Sequence, residues 1–142
     1  MKRNILLTAA LLIAVGPVFS QEYKLAKNTG KLVLKEINRV TIEGTNGNEI
    51  VFTSLDGQSD KDSRASGLRA INSLGLEDNT GVGLAVVDKG NTYEVYQLKK
   101  MDGPRVKILV PKGVSISISH SSPYGEDIRI RNVENEIESS TV

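Results

Sequence analysis

From Arg105 to Ser119 the chain reads RVKILVPKGVSISIS. Val106, Ile108, Val110, Val114, Ile116 and Ile118 fall on even positions, and only Lys112 interrupts the series. Alternation with a period of two places these six side chains on one face of an extended chain. The positions between them are mostly Lys, Ser and Gly, which suits a solvated face. Pro111 has no N–H and Gly113 tolerates positive φ, so the ribbon should bend or bulge at Pro111-Lys112-Gly113. The pattern predicts two strands joined at a corner and sharing one hydrophobic side.

The rest of the chain repeats shorter versions of this pattern. Tyr23 and Leu25 share one side of a short piece over Glu22 to Lys27, and Leu32-Val33-Leu34 follows a turn at Gly30. Val40 and Ile42 point inward in the strand Val40 to Gly44, as do Ile50 and Phe52 in Ile50 to Thr53. Asn46-Gly47 between them is a two-residue turn signal, because both residues accept φ > 0. Leu84 to Val87, a turn at Lys89-Gly90-Asn91 and Thr92 to Leu98 predict a hairpin. Tyr93 and Val95 oppose Tyr96 and Leu98 in parity, as in a strand sandwiched between layers or rungs. Leu68, Ile71, Leu74 and Leu76 suggest a helical turn, kept short by Gly75 and Gly81. A strand over Asp127 to Arg131 follows, and Asn132 to Glu138 repeats the rhythm of short strand and Asn turn. Strands spaced by roughly 10 to 20 residues with Gly or Asn corners predict an all-β fold, and a sandwich and a solenoid both fit that rhythm.

Composition narrows the field. The core must come from Val, Ile and Leu, because there are two Phe, four Tyr and no Trp. A formal charge of +1 offers no basis for nucleic-acid binding, which calls for clustered Lys and Arg. The absence of cysteine excludes disulfides, thiolate metal sites and Cys nucleophiles.

Met1 to Ser20 reads as a signal peptide: Lys2 and Arg3, an apolar run from Ile5 to Val15, then small residues at Val18 and Ser20. As a helix that run spans only ~17 Å, against about 30 Å for a bilayer core, so no membrane span is expected. Cleavage before Gln21 removes two basic residues and takes the formal charge from +1 to −1. The expectation is an exported protein, periplasmic, at the cell surface or extracellular, with one β domain over 21–142.

Candidate chemistry is sparse. Asp56, Asp60 and Asp62 lie in the polar loop Leu55 to Gly67, but their spacing departs from the alternation of a calcium loop, which favours a solvated loop. Glu77, Asp78 and Asn79 present three oxygen side chains and are the weak metal candidates, set against an Asx-type turn that satisfies its own backbone. Gly81-x-Gly83 lacks the third glycine of a dinucleotide fingerprint. The one histidine, His120, stands beside Ser121 and Ser122, but adjacent strand residues face opposite ways, so a nucleophile and base there are poorly placed. The expected role of His120 is a turn residue packed on Pro123 or Tyr124. No catalytic residue, metal ligand or cofactor is assigned.

The stretch Gly67-Leu68-Arg69-x-Ile71-Asn72-x-Leu74-Gly75-Leu76-Glu77-Asp78-Asn79-Thr80-Gly81-Val82-Gly83-Leu84 resembles the signature of an adhesin-like family of exported proteins from Bacteroidetes-type bacteria. Val110-Pro111-Lys112-Gly113-Val114, His120-Ser121-Ser122-Pro123-Tyr124-Gly125 and Asn132-Val133-x-x-x-Ile137 are similar to its later elements. The resemblance implies a right-handed β-solenoid or β-roll without catalytic residues. The chain stops where family members usually continue, so its C-terminal rungs are expected to be missing.

Two functions follow as expectations. The first is a non-catalytic binding or envelope module acting through surface contacts with an extracytoplasmic ligand or envelope partner. The second is an exported hydrolase of glycosidase type, since 17 acidic residues offer many carboxylate pairs. Ile128, Ile130, Val133 and Ile137 supply inward side chains for a last rung that Ser139-Ser140-Thr141-Val142 does not cap. An unpaired edge there is expected either to reflect a shortened chain or to pair with another protomer.

Overall fold

The computed structural model describes residues 21–57, 68, 71–121, 123 and 127–141. The expected signal peptide at 1–20, together with Asp60, Asp62 and Tyr124, lies outside these residues. Ten strands are present: β1 (Glu22–Leu25), β2 (Gly30–Lys35), β3 (Arg39–Thr45), β4 (Ile50–Ser54), β5 (Leu84–Asp88), β6 (Thr92–Gln97), β7 (Val106–Pro111), β8 (Val114–His120), β9 (Asp127–Arg131) and β10 (Ile137–Thr141). The fold is all-β, in two mixed five-stranded sheets. Sheet I has the order β1-β4-β7-β3-β9 and sheet II the order β10-β8-β2-β6-β5. The sheets enclose one hydrophobic cluster to which both contribute.

The alternating ribbon of 105–119 becomes β7 in sheet I and β8 in sheet II, turning through Lys112 and Gly113. Val106, Ile108, Val110, Val114 and Ile116 are fully buried and Ile118 nearly so. Burial of such side chains stabilises by ~1.5–3 kcal/mol each, which fixes the facing of both strands.

The sheets are built around parallel ladders. In sheet II, β6, β2, β8 and β10 run parallel to one another, and in sheet I so do β7, β3 and β9. Leu32 stands in register with Tyr93 on one side and Ile116 on the other. Ile42 likewise stands between Ile108 and Ile130. The segment β2–β3, early in the chain, is therefore inserted between β6–β7 and β8–β9. Antiparallel strands close the opposite end: β4 pairs β7, β1 pairs β4, and β5 pairs β6 as the expected hairpin.

Gly30 opens β2 with φ +108°, and a Cβ there would lie 2.5 Å from the Asn91 carbonyl oxygen, which accepts from Lys31 N. Glycine is needed for both reasons.

One expectation is corrected and two are sharpened. Asn46-Gly47 does not join paired strands, because β7 lies between β3 and β4 in sheet I. The bend there carries the chain over the end of β7, and Gly47 N donates to Thr45 Oγ1. Leu68, Ile71 and Leu74 form no helical turn among the described residues; all three are exposed, and Asn72 Oδ1 instead accepts from Leu74 N and Leu76 N. The two faces of β6 differ in character, as their partial apolarity suggests. Tyr93 and Val95 enter the core, while Glu94 and Tyr96 form an outer-face cluster with Lys35.

Candidate functional site

Both sheets end at the same side of the molecule, with β9 at the edge of sheet I and β10 at the edge of sheet II. Because β8 adjoins β2 and β9 adjoins β3, β9 lies across the core from β8. The chain then enters β10, which adds a further strand to sheet II. No described strand of sheet I lies opposite it.

Register fixes which side chains this leaves uncovered. Ile128 and Ile130 align with the buried Val40 and Ile42, and Ile137 aligns with the buried Ile116, so all three face inward. Yet Ile128 is 39%, Ile130 41% and Ile137 37% exposed. They form an apolar opening into the core, against which Val133 also packs. Every residue of β9 is exposed. An edge strand of this kind presents unpaired N–H and C=O groups to any incoming strand.

The rim of the opening is charged in blocks. Asp127, Arg129 and Arg131 alternate on the outer side of β9, and Glu134, Glu136 and Glu138 precede and enter β10. Arg129 is 2.6 Å from Asp127, Lys31 is 2.7 Å from Glu138, and Lys112 is 3.0 Å from Glu134. Among the described residues Arg131 and Glu136 have no ion-pair partner.

The outer faces carry two further charged groupings. On sheet II, Glu94 accepts hydrogen bonds from Lys35 (2.9 Å) and Tyr96 (2.6 Å) and pairs with Lys89 (2.8 Å). The bonds from Lys89, Tyr96 and Lys35 pull its pKa down to about 2. The Glu94 carboxylate, with Tyr96, raises Lys35 above the ordinary lysine value. On sheet I a groove of about 180 Å³ is rimmed by Arg39, Arg105, Arg129, Leu55 and Asp127. Asp56 takes Arg105 through its backbone N–H and its Nε, each at 2.7 Å. Burial raises the Asp56 carboxyl, but these bonds outweigh it and hold the group below its ordinary value.

Two of the three weak metal candidates, Asp78 and Asn79, are engaged by neighbouring backbone groups. Asp78 Oδ1 accepts from Thr80 N, Thr80 Oγ1 and Gly81 N, and Oδ2 accepts from Gly83 N. Asn79 pairs with Val86 through both its backbone groups, accepting from N at 2.8 Å and donating to O at 2.7 Å. Glu77 joins an isolated backbone bridge to Ile71. No cluster of three or more His, Asp or Glu suited to a metal occurs among the described residues. Among the described residues, the sheet I groove contains one carboxylate, that of Asp127. A second hollow, about 230 Å³ and lined by Asn28, Thr45, Asn46, Gly47, Asn48 and the 111–113 corner, contains none.

His120 is not a turn residue. It ends β8, is buried, and its Nε2 lies 3.2 Å from Asn38 Oδ1. Asn38 is the hub of the corner: its N donates to Gln97 Oε1, its Nδ2 donates to Lys100 O, and its carbonyl accepts from Asp127 N. With Nδ2 donating, Oδ1 is the acceptor, so His120 carries its proton on Nε2. Asn38 thus ties the ends of β2, β6 and β8 together, and the His120 ring supplies the β8 link.

No protein-family model, curated protein or solved structure matches the chain. Among the described residues no helix is long and apolar enough to cross a membrane.

Proposed function

We propose that this chain is an exported, non-catalytic, adhesin-like binding or envelope module that works by strand-edge contact at its open end. The observation that carries the reading is the exposed apolar opening formed by Ile128, Ile130 and Ile137, beside two strand edges that no described strand pairs. Strand addition to such an edge supplies main-chain hydrogen bonds, while the inward pockets receive alternate side chains of the incoming strand. The parallel ladders also support a solenoid-type coil, in which successive turns stack in register and an end turn needs covering. Export rests on the charged, apolar and small-residue order of Met1 to Ser20.

The chain has no cysteine, so single thiols report cleanly. Full-length Ile130→Cys and Asn48→Cys variants, expressed with the N-terminal segment, are treated with a membrane-impermeant maleimide on intact cells and again after purification at high dilution. Cys at position 48 should label in both settings, which establishes export. Cys at position 130 should label only in the dilute protein, because the opening is occupied in cells. Equal labelling of position 130 in both settings, or no labelling of position 48 on cells, would overturn the reading.

A further inference from the structure

We infer that the occupant of the open end is a second copy of this chain, related by a two-fold axis that runs between the sheets, parallel to the strands. The inference rests on the open end being the contact surface, and takes the further step of naming what fills it.

Shape is the first argument. Sheet II projects one strand, β10, beyond β9 at the edge of sheet I. Each copy therefore has a ledge on one side and a notch on the other. Rotation about an axis between the sheets exchanges the two sides, so the ledge of one copy enters the notch of the other. β9 then pairs with β10 of the second copy, and β10 with its β9. Such a contact is self-complementary and closed, as two-fold interfaces are. Because β2 and β3 reverse direction across a three-residue corner, β9 and β10 run oppositely, and the new pairs are antiparallel.

Register is the second argument, and the fold leaves little freedom in it. Leu32 and Ile42 are each five residues from Ile37 at the corner's centre, which puts them at one height across the core. Ile108 and Ile116 are equidistant from Lys112 in the same way. The ladders carry that height outward, from Ile42 to Ile130 and from Leu32 through Ile116 to Ile137. An axis parallel to the strands preserves height. Ile130 must therefore stand opposite Ile137 of the second copy.

Charge is the third argument, independent of the first two. With Ile130 opposite Ile137, Arg129 falls opposite Glu138 and Arg131 opposite Glu136, on the outer face where both sets of side chains point. Opposite charges directly across a strand pair stabilise it, and like charges destabilise it. Arg131 and Glu136, which have no ion-pair partner among the described residues, acquire one. The inward pairs are Ile130 with Ile137 and Ile128 with Ser139, which closes the apolar opening. The same contacts form twice in the dimer.

The test uses two charge variants of the full chain. Arg129→Glu/Arg131→Glu places acids on both edges of one copy, and Glu136→Arg/Glu138→Arg places bases on both. Sedimentation or light scattering across a concentration series should show wild type passing from monomer to dimer. Each variant alone should remain monomeric, its dissociation constant raised by about tenfold or more. Mixed in equal amounts, the two should form a heterodimer, because every edge pair is then complementary; misfolded variants would not recover on mixing. A wild type that is monomeric at every concentration would overturn the inference, as would a dimer of Glu136→Arg/Glu138→Arg alone, or a mixture that stays monomeric. If wild type is monomeric while position 130 is protected in cells, the contact surface stands and the second copy fails.

Discussion

Ile116 and Ile137 are partners in one ladder, yet Ile116 is fully buried and Ile137 is 37% exposed. The difference comes from what lies across the core: β9 stands opposite β8, and no described strand stands opposite β10. The same substitution at the two sites should therefore act differently. Ile116→Lys buries an unpaired charge and should unfold the domain, whereas Ile137→Lys can reach solvent and should leave the fold intact. Ser117→Lys, on the outer face of β8, should change stability by no more than about 0.5 kcal/mol. Thermal melts of the three variants check the facing of the whole ribbon.

The polar corner should matter more than its lone histidine suggested. Asn38→Ala removes the donor to Lys100 O and the acceptor for His120, and should cost ~2 kcal/mol or more. His120→Ala should cost about 1–3 kcal/mol, because Asn38 Oδ1 is left without its partner in a buried site. Denaturant unfolding of both variants measures this, and a His120→Ala variant of unchanged stability would contradict the hub role of Asn38.

Glu94 makes stability depend on pH. Its folded pKa, about 2, lies below the ordinary 4.5. The depressed value means that the carboxylate contributes fully above pH 4.5 and loses its contribution as pH falls toward 2. Glu94→Gln should be less stable than wild type at neutral pH by ~1–2 kcal/mol, and the gap should close on acidification. Parallel acid limbs for the two proteins would show that the Lys35, Lys89 and Tyr96 contacts contribute nothing in solution.

Asp78 organises the entry to β5 with both carboxylate oxygens already engaged by donors at 80–83. Asp78→Ala should lower stability by about 1–2 kcal/mol. Calcium added to wild type should not raise its melting temperature, whereas a calcium-dependent rise lost in Asp78→Ala would restore the metal reading.

Much of the local fold was legible because one side of each strand is buried. The even-numbered series of 106–118 reports its facing directly, as do Val40 with Ile42 and Ile50 with Phe52. Partner choice was not legible. Nothing local in Leu32-Val33-Leu34 reveals that β2 inserts between β6 and β8, since parallel pairing is decided by distant residues. Asn46-Gly47 marked a bend, but turn chemistry does not say which strands pair. Leu68, Ile71 and Leu74 showed helical spacing without a face to bury. β10 was hidden because Ile-Glu-Ser-Ser-Thr contains one apolar residue, and its ladder to β8 is a backbone matter. At the candidate site, Ile128, Ile130 and Ile137 were readable as inward-facing. The ledge and notch were not, because they depend on sheet order.

Amide hydrogen exchange over 127–141, followed across a protein concentration series, tests the open end most directly. β2 and β8, paired on both sides, should be protected at every concentration. β9 and β10 should exchange rapidly at high dilution and gain protection as concentration rises. Exchange in β9 and β10 that is the same at every concentration, slow or fast, would contradict the account.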